Sequence, residues 1–332
     1  MPAGSETRLF NTLLTSTMDA YAGEALRNML TSFPLIDMLA RGGKATVKGG
    51  GARIDVPIAY GYNPGSQWFD GADVLDMTPF ENLTMAKFDW KNLHAPITYT
   101  GSEVRKNKGA ARMIDLVKQK IEDTELTLWK ILEIAMTGDG MGSQGKVILG
   151  LDAFFPTTPT TDPAVGPLGG ITVTGNPWWQ NNARTGFGSF AANGPGGTAN
   201  NDLLLADWMA ISDGPEQPDL IISAPDVYRF YHEAVMDHTQ IIINQTQDGR
   251  LSYQSLTFQG VPWIWSRTIP NGRAYLLRKR DLEFWVHSDA NMTLGEFQKS
   301  WSQDLYGASM MIMCAFFIRR RMFSHVIDGI TA

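Results

Sequence analysis

The sequence is poor in the residues on which metal and thiol chemistry depend. Its 332 residues include one cysteine, Cys314, and five histidines, none at a metal-binding spacing from another histidine or from the cysteine. A single cysteine excludes a disulfide within the chain. Cys314 lies in the apolar run ASMMIMCAFFI, which predicts a buried side chain and not a nucleophile. We therefore expect neither a metal site nor cysteine chemistry.

Long apolar segments are also lacking. No run approaches the roughly 20 residues that a membrane-spanning helix needs, and the first residues lack the basic start and apolar core of a signal peptide. These features predict a soluble protein without an export signal and without a membrane partner.

Positive charge is scarce as well. The chain has 28 Lys and Arg against 34 Asp and Glu, a formal net charge of -6, which argues against a surface that grips nucleic acid phosphates. Its basic clusters are RKR at 278–280 and RRR at 319–321. Because side chains alternate along a strand, we expect these arginines to meet acidic neighbours more often than phosphates.

No pattern in the sequence predicts catalysis. The segment GFGSFAANG is not a nucleophile elbow, and GGKATVKGGG lacks the G-K-[ST] ending of a phosphate-binding loop. Asp70, Asp73 and Asp76 do not have the spacing of a calcium loop. The ten tryptophans stand mostly among apolar residues, which favours burial over a sugar-binding platform. The sequence predicts no enzyme, no cofactor and no catalytic residue.

Hydrophobic periodicity predicts an α+β protein. Alternation over 53–60 indicates a strand, which Pro57 confines to a sheet edge, and a return strand places Ala86, Phe88 and Trp90 on one face. The apolar positions then become odd, from Leu93 onward, which predicts a bulge or sharp twist near 91–93. A long amphipathic helix follows Gly109, with Gly138 as its stop, and its apolar stripe comprises Met113, Val117, Ile121, Leu128, Leu132 and Ala135.

The segment from Gln67 to Gly101 predicts a projecting hairpin. It joins the two strands through a polar connection that contains Gly, Pro and several aromatic residues. A two-stranded hairpin has no core of its own, so ten or so residues per strand would extend roughly 30 Å toward another surface. We expect that surface to belong to a neighbouring subunit, contacted by Trp68, Phe69, Phe80, Phe88 and Trp90.

These segments, in their order, resemble the major capsid proteins of tailed bacteriophages, which have the Hong Kong 97-type fold. The resemblance covers nearly the whole chain from about Thr31. Its most specific pieces are the GGI…WW.N and W..G…LD.TP patterns, and LEFWVHSDANMTLGEF and RRRMFSHVIDGI also carry it. It implies an N-terminal arm and helix (1–44), an extended E-loop hairpin (45–107), a peripheral domain with a spine helix (108–200), an axial domain (201–270) and C-terminal strands shared by both domains (271–332).

The same resemblance implies hexamers and pentamers that tile an icosahedral shell around double-stranded DNA, without sequence-specific binding. The chain's main partner is then itself, together with scaffolding, portal and decoration proteins, in a virion assembled in the host bacterial cytoplasm. Arg319, Arg320 and Arg321 join the candidate contacts between subunits. Two alternatives stay open: an encapsulin-like compartment with a protein cargo, and a glycan-binding or hydrolytic domain that uses the tryptophans.

Overall fold

The structure is a computed structural model that describes residues 33–42, 45–106, 110–190, 200–236, 256–300 and 303–331. Most of the predicted N-terminal arm and helix (1–44) lies outside these residues. The first described helix is α1 (Pro34–Arg41). Pro34 begins this helix, where its missing N–H group is no loss because the first turn has no partner for it.

The remaining helices and strands follow in chain order. The helices are α2 (Gly101–Lys106), α3 (Ala110–Thr137), α4 (Gly142–Gly145), α5 (Leu151–Phe154), α6 (Asn200–Ala210) and α7 (Pro225–Met236). The strands are β1 (Ala45–Lys48), β2 (Ile54–Ala59), β3 (Leu83–Phe88), β4 (Lys91–Thr100), β5 (Asn182–Arg184), β6 (Gly188–Ser189), β7 (Leu220–Ser223), β8 (Thr257–Phe258), β9 (Val261–Trp265), β10 (Ala274–Leu277), β11 (Leu282–His287), β12 (Thr293–Leu294), β13 (Gln298–Lys299), β14 (Leu305–Ile318), β15 (His325–Ile327) and β16 (Ile330–Thr331).

The long helix is confirmed as α3, with 28 residues and a length of about 42 Å at 1.5 Å per residue. Ile121, Leu128 and Leu132 of the predicted stripe are buried, and the helix ends one residue before Gly138. The side chains of Met113 and Val117 lie outside the described residues. α3 packs against β4, where Ile121 and Leu128 share a small apolar cluster with Ala95, Ile97, Tyr99 and Met310.

The change of face in the return strand is also confirmed. Ala86 and Phe88 are buried in β3, whereas the buried positions of β4 are Ala95, Ile97 and Tyr99. Asp89 and Trp90 separate the two strands, because β3 and β4 pair with different strands. β3 pairs with β2 in a separate two-stranded sheet, and β4 pairs with β14 over ten residue pairs.

Two six-stranded sheets form the body of the described chain. In the first, β14 pairs on one edge with β4 and on the other with β11, β12 and β13, and β1 adds a parallel strand to β11. The second sheet has the order β5-β15-β10-β7-β9-β8. Residues 271–331 supply strands to both sheets, and Gly272, with φ +75°, lies in the turn before β10.

A buried carboxylate fixes α1 onto α3. The side chain of Glu133 accepts hydrogen bonds from the backbone N–H groups of Leu35 (3.2 Å) and Ile36 (3.3 Å). These donors belong to the first turn of α1 and have no partner within that helix. Burial raises the pKa of Glu133, and the hydrogen bonds from Leu35 and Ile36 oppose that rise. Glu133 therefore orients α1 although nothing in the sequence pattern marks it.

Candidate assembly interface

The predicted projection divides into a buried stem and an exposed tip. The hairpin stem is the pair β2 and β3, in which Ile54, Val56 and Ile58 are buried on the subunit's own core. The hairpin tip is the segment 60–82, which contains no helix or strand. With six residues per strand, the stem spans about 20 Å. The expected free arm of ten residues per strand is thus too long, since its inner half packs on its own subunit.

Local hydrogen bonds shape the hairpin tip. The carboxylate of Asp73 accepts from the backbone N–H of Asp70 (2.9 Å), and Asp76 Oδ1 accepts from both the N–H and the hydroxyl of Thr78. These bonds lower the pKa of Asp76, chiefly through the hydroxyl of Thr78. The acidic residues of the tip thus stabilise its turns.

The aromatic contact candidates separate into two groups. Trp68, Phe69 and Phe80 lie in the tip with exposed fractions of 103%, 63% and 38%. Phe88 is only 4% exposed and stacks on Phe317 at 5.4 Å between ring centroids. Phe88 is therefore corrected to a core residue of its own subunit, because β3 turns that face inward. Trp90 is half-buried against the ring of His287.

The glycine and tryptophan motif holds the stem in place. Gly169 has φ +64°, and a Cβ atom there would lie 2.7 Å from the Cβ of Ala86 in β3, so only glycine permits this close approach. The indole N–H of Trp179 donates to the carbonyl of Leu168 (3.1 Å), which fixes the loop that carries the glycine. The residues of the GGI…WW.N pattern thus form the loop against which the hairpin stem packs.

Arg321 is hydrogen-bonded to the segment that carries this motif. Its side chain has no exposed surface, and its guanidinium donates to the carbonyls of Phe154 (2.9 Å) and Trp179 (2.8 Å) and to Asn181 Oδ1 (3.3 Å). Burial lowers the pKa of Arg321 to about 10, so the group remains a cation at neutral pH. Its place among the subunit contacts is therefore corrected: it lies in the interior and ties the 154–181 segment to the end of β14.

Arg319 and Arg320 meet acidic neighbours, as their alternation predicts. Arg319 Nη2 lies 2.6 Å from Glu283 Oε1, and Arg320 Nε lies 2.9 Å from Asp281 Oδ1. Arg320 also reaches Glu216, which receives hydrogen bonds from Arg280 and Arg278. The hydrogen bond from Arg280, followed by that from Arg278, lowers the pKa of Glu216 to about 2. The side chains of Arg319 and Arg320 are 54% and 36% exposed, so a contact with another subunit stays a prediction for both.

α3 carries a second buried carboxylate, Glu125, which the sequence did not predict to be buried. Glu125 is 7% exposed beside the apolar cluster of α3 and β4, and its Oε2 atom has no hydrogen-bond partner in the described part of the chain. Burial, with a smaller contribution from the charge of Glu122, raises the pKa of Glu125 to about 7. Glu125 lies on the apolar stripe itself, four residues after Ile121 and three before Leu128, so its position indicates burial although its residue type does not.

Glu125 predicts a pH dependence of stability. Its pKa in the folded chain exceeds the ordinary 4.5, so its stabilising contribution is complete below about pH 4.5 and is lost as the pH rises through about 7. We expect the melting temperature of the subunit to fall more between pH 5 and pH 7.5 than that of Glu125→Gln, as measured by circular dichroism. Parallel pH profiles for the two proteins would contradict this assignment.

Candidate metal ligands do not cluster among the described residues. Among them, no three His, Cys, Asp or Glu side chains come together as a metal site, and none of their helices is long and apolar enough to cross a membrane. Cys314 is buried as expected, and burial raises the pKa of its thiol to about 12. Of the described tryptophans, Trp129, Trp179, Trp208 and Trp263 are buried in the core.

Comparisons with known proteins identify the fold. No protein-family model matches the chain, and no curated protein matches it. Among solved structures, the chain is similar to the cyanophage A-1(L) capsid asymmetric unit, with a TM-score of 0.64 and 15% identity over 91% of this chain and 94% of that one. The capsid of Myoviridae phage XM1 matches with a TM-score of 0.55 and 9% identity over 88% and 91% of the two chains.

An encapsulin shares this architecture. The holo-SrpI encapsulin complex from Synechococcus elongatus PCC 7942 matches with a TM-score of 0.52 and 14% identity over 88% of this chain and 87% of that one. These matches extend over 88–91% of this chain. The chain therefore has the predicted α+β fold of the Hong Kong 97-type major capsid proteins of tailed bacteriophages.

Proposed function

We propose that the chain is the structural subunit of an icosahedral shell, assembling as hexamers and pentamers around the double-stranded DNA of a tailed bacteriophage. The observation that carries the proposal is the hairpin tip, which presents large apolar side chains that its own subunit does not cover. They include Tyr62, Trp68, Val74 and Met77. Such a concentration of exposed apolar surface marks a contact with another protein. The capsid fold supports a further copy of the same chain as that protein.

The net charge of the subunit supports a shell that encloses DNA without binding it tightly. The net charge is -6, and arginines of both basic clusters are engaged with carboxylates or carbonyl groups of their own subunit. Tight DNA binding requires cations that are free to neutralise phosphates. We therefore assign the DNA a place inside the shell with weak, sequence-independent contact.

The proposed assembly defines the remaining partners and the location. The subunit would act together with scaffolding, portal and decoration proteins, assemble in the host bacterial cytoplasm and reside in the virion capsid. Its role is structural and not enzymatic. The division into arm (1–44), E-loop (45–107), peripheral domain (108–200), axial domain (201–270) and shared strands (271–332) belongs to this proposal.

An encapsulin-like compartment is the second candidate function, and the similarity to the encapsulin complex favours it. The two candidates share a shell but differ in content. The glycan-binding or hydrolytic alternative is less favoured, because Trp129, Trp179, Trp208 and Trp263 are buried. Trp68 is exposed, but the neighbouring carboxylates of Asp70 and Asp73 accept turn hydrogen bonds within the tip.

Purified particles test the function. The chain expressed in bacteria should form closed shells of uniform diameter, visible by negative-stain microscopy. Particles recovered from an infected host should absorb at 260 nm through packaged DNA, and nuclease should not remove that signal. A second protein band in place of DNA would assign the compartment function. A chain that stays monomeric under all assembly conditions would refute both candidates.

A further inference from the structure

A groove of about 520 Å³ opens beside the base of the hairpin stem. Its walls are the joint between β3 and β4 (87–91), the loop 140–149 and the loop 164–170. Apolar side chains form much of its floor, including Phe88, Leu168 and Phe316, while Met141 lies at the rim with 45% of its surface exposed. A groove of this size accommodates one or two aromatic side chains.

The rim of the groove is cationic. Lys87 and Lys91 line it, and Lys91 Nζ donates to the carbonyl of Gly145 (2.8 Å), which holds the charge at the opening. Asp89, the acidic residue between them, is paired with Arg53 at 3.1 Å. The groove thus combines an apolar floor with excess positive charge.

The hairpin tip has the complementary character. Between residues 60 and 82 it carries Asp70, Asp73, Asp76 and Glu81 but no Lys, Arg or His. Its exposed aromatic side chains, Tyr62, Trp68 and Phe69, stand among these acidic residues. An apolar and anionic segment is attracted to an apolar surface with a cationic rim.

Other exposed apolar surfaces of the described chain lack this complement. The outer face of α3 presents Leu126 and Ile134, but its charges, Asp123 and Lys130, balance each other. The outer face of α6 presents Leu205 and Met209 with only an acidic neighbour, Asp202. Charge therefore selects the groove among these surfaces.

We propose that the hairpin tip of one copy seats in the groove of the next copy, with its aromatic side chains on the apolar floor and its carboxylates facing Lys87 and Lys91. The proposal rests on the shell function and specifies the contact within it. Because tip and groove are different surfaces, the contact runs head to tail, and such contacts generate rings when the rotation closes. The same contact would then serve rings of five and of six copies.

A double-mutant cycle tests the charge pairing. Asp70→Asn, Asp73→Asn and Asp76→Asn together remove three charges but keep side-chain oxygens that can accept the turn hydrogen bonds, and Lys87→Gln with Lys91→Gln neutralises the rim. We expect each set to raise the subunit concentration needed for shell assembly about tenfold, and both sets together to raise it no further than one alone. Lys130→Gln on α3 is the control and should leave this concentration unchanged. Fully additive effects would overturn the groove assignment.

A disulfide trap gives an independent measurement. Phe69→Cys combined with Met141→Cys should yield a ladder of covalent multimers after mild oxidation of assembled particles, because the pairing joins neighbouring copies. Each single variant should give none, since Cys314 is buried. Phe69→Cys with Ile131→Cys on α3 is the competing pair, and a ladder from that pair alone would overturn the groove.

The outcomes distinguish the contact from the function. Wild-type chains that form shells, together with an additive cycle or no ladder from the Phe69 and Met141 pair, refute only the groove assignment. Wild-type chains that never form shells refute the proposed function, and the groove assignment falls with it.

Discussion

Arg321→Met is expected to lower the free energy of unfolding of the subunit by about 3–5 kcal/mol, because it leaves buried carbonyl groups without donors. Arg321 is fully buried and donates to Phe154 and Trp179 from a position that water does not reach. Methionine fills a similar volume, so the loss reflects hydrogen bonds and not an empty cavity. Urea or thermal unfolding of the isolated subunit measures the change.

Arg319→Met is the matched control for this prediction. The same substitution two residues earlier removes an ion pair with Glu283 in which the arginine side chain is 54% exposed, while Glu283, at 10%, keeps the hydrogen bond from the indole N–H of Trp285. Pairs of this exposure are worth about 0–1 kcal/mol, so the unfolding curve should move little. Equal destabilisation by the two variants would show that Arg321 is no more important to the interior than its neighbour and would contradict the assignment.

Replacing residues 61–81 by Asn-Gly is expected to abolish closed shells while the subunit still folds. The ladder of β2 and β3 ends with Ala59 opposite Leu83, so a two-residue turn can join Tyr60 to Asn82 without changing the register. No side chain of the deleted segment belongs to the buried core. The melting temperature of the subunit should therefore change little, whereas microscopy and gradient sedimentation should find no closed particles.

A full-length variant separates the loss of apolar surface from the loss of length. Tyr62→Ser, Trp68→Ser, Val74→Ser and Met77→Ser together keep the tip but remove its exposed apolar side chains. We expect this variant to fold and to fail in assembly, as the deletion does. Normal shells from either protein would show that the hairpin tip is not an assembly contact, and the case for it as the main contact would be lost.

The sequence predicted the exposure of some candidate contact residues correctly and missed the burial of others. Trp68 and Phe69 are exposed as predicted, since a polar connection rich in Gly and Pro has no core to cover them. Phe88 and Arg321 were assigned to the same surface, but both lie inside the subunit. The alternation of β3 shows that Phe88 shares a face with Ala86. It does not show that β14 and the 154–181 segment cover that face.

Periodicity and composition by themselves determined the α+β class, the 28-residue α3 with its stop at Gly138, the change of face between β3 and β4, and the burial of Cys314. These features depend on neighbours along the chain, where the spacing of apolar residues fixes which face turns inward. Only the tertiary structure decided the partners of Arg321, the burial of Glu133, and the meeting of the joint 87–91 with the loops 140–149 and 164–170. These contacts join residues far apart in sequence, and a single sequence carries no signal of which distant segments will pack together.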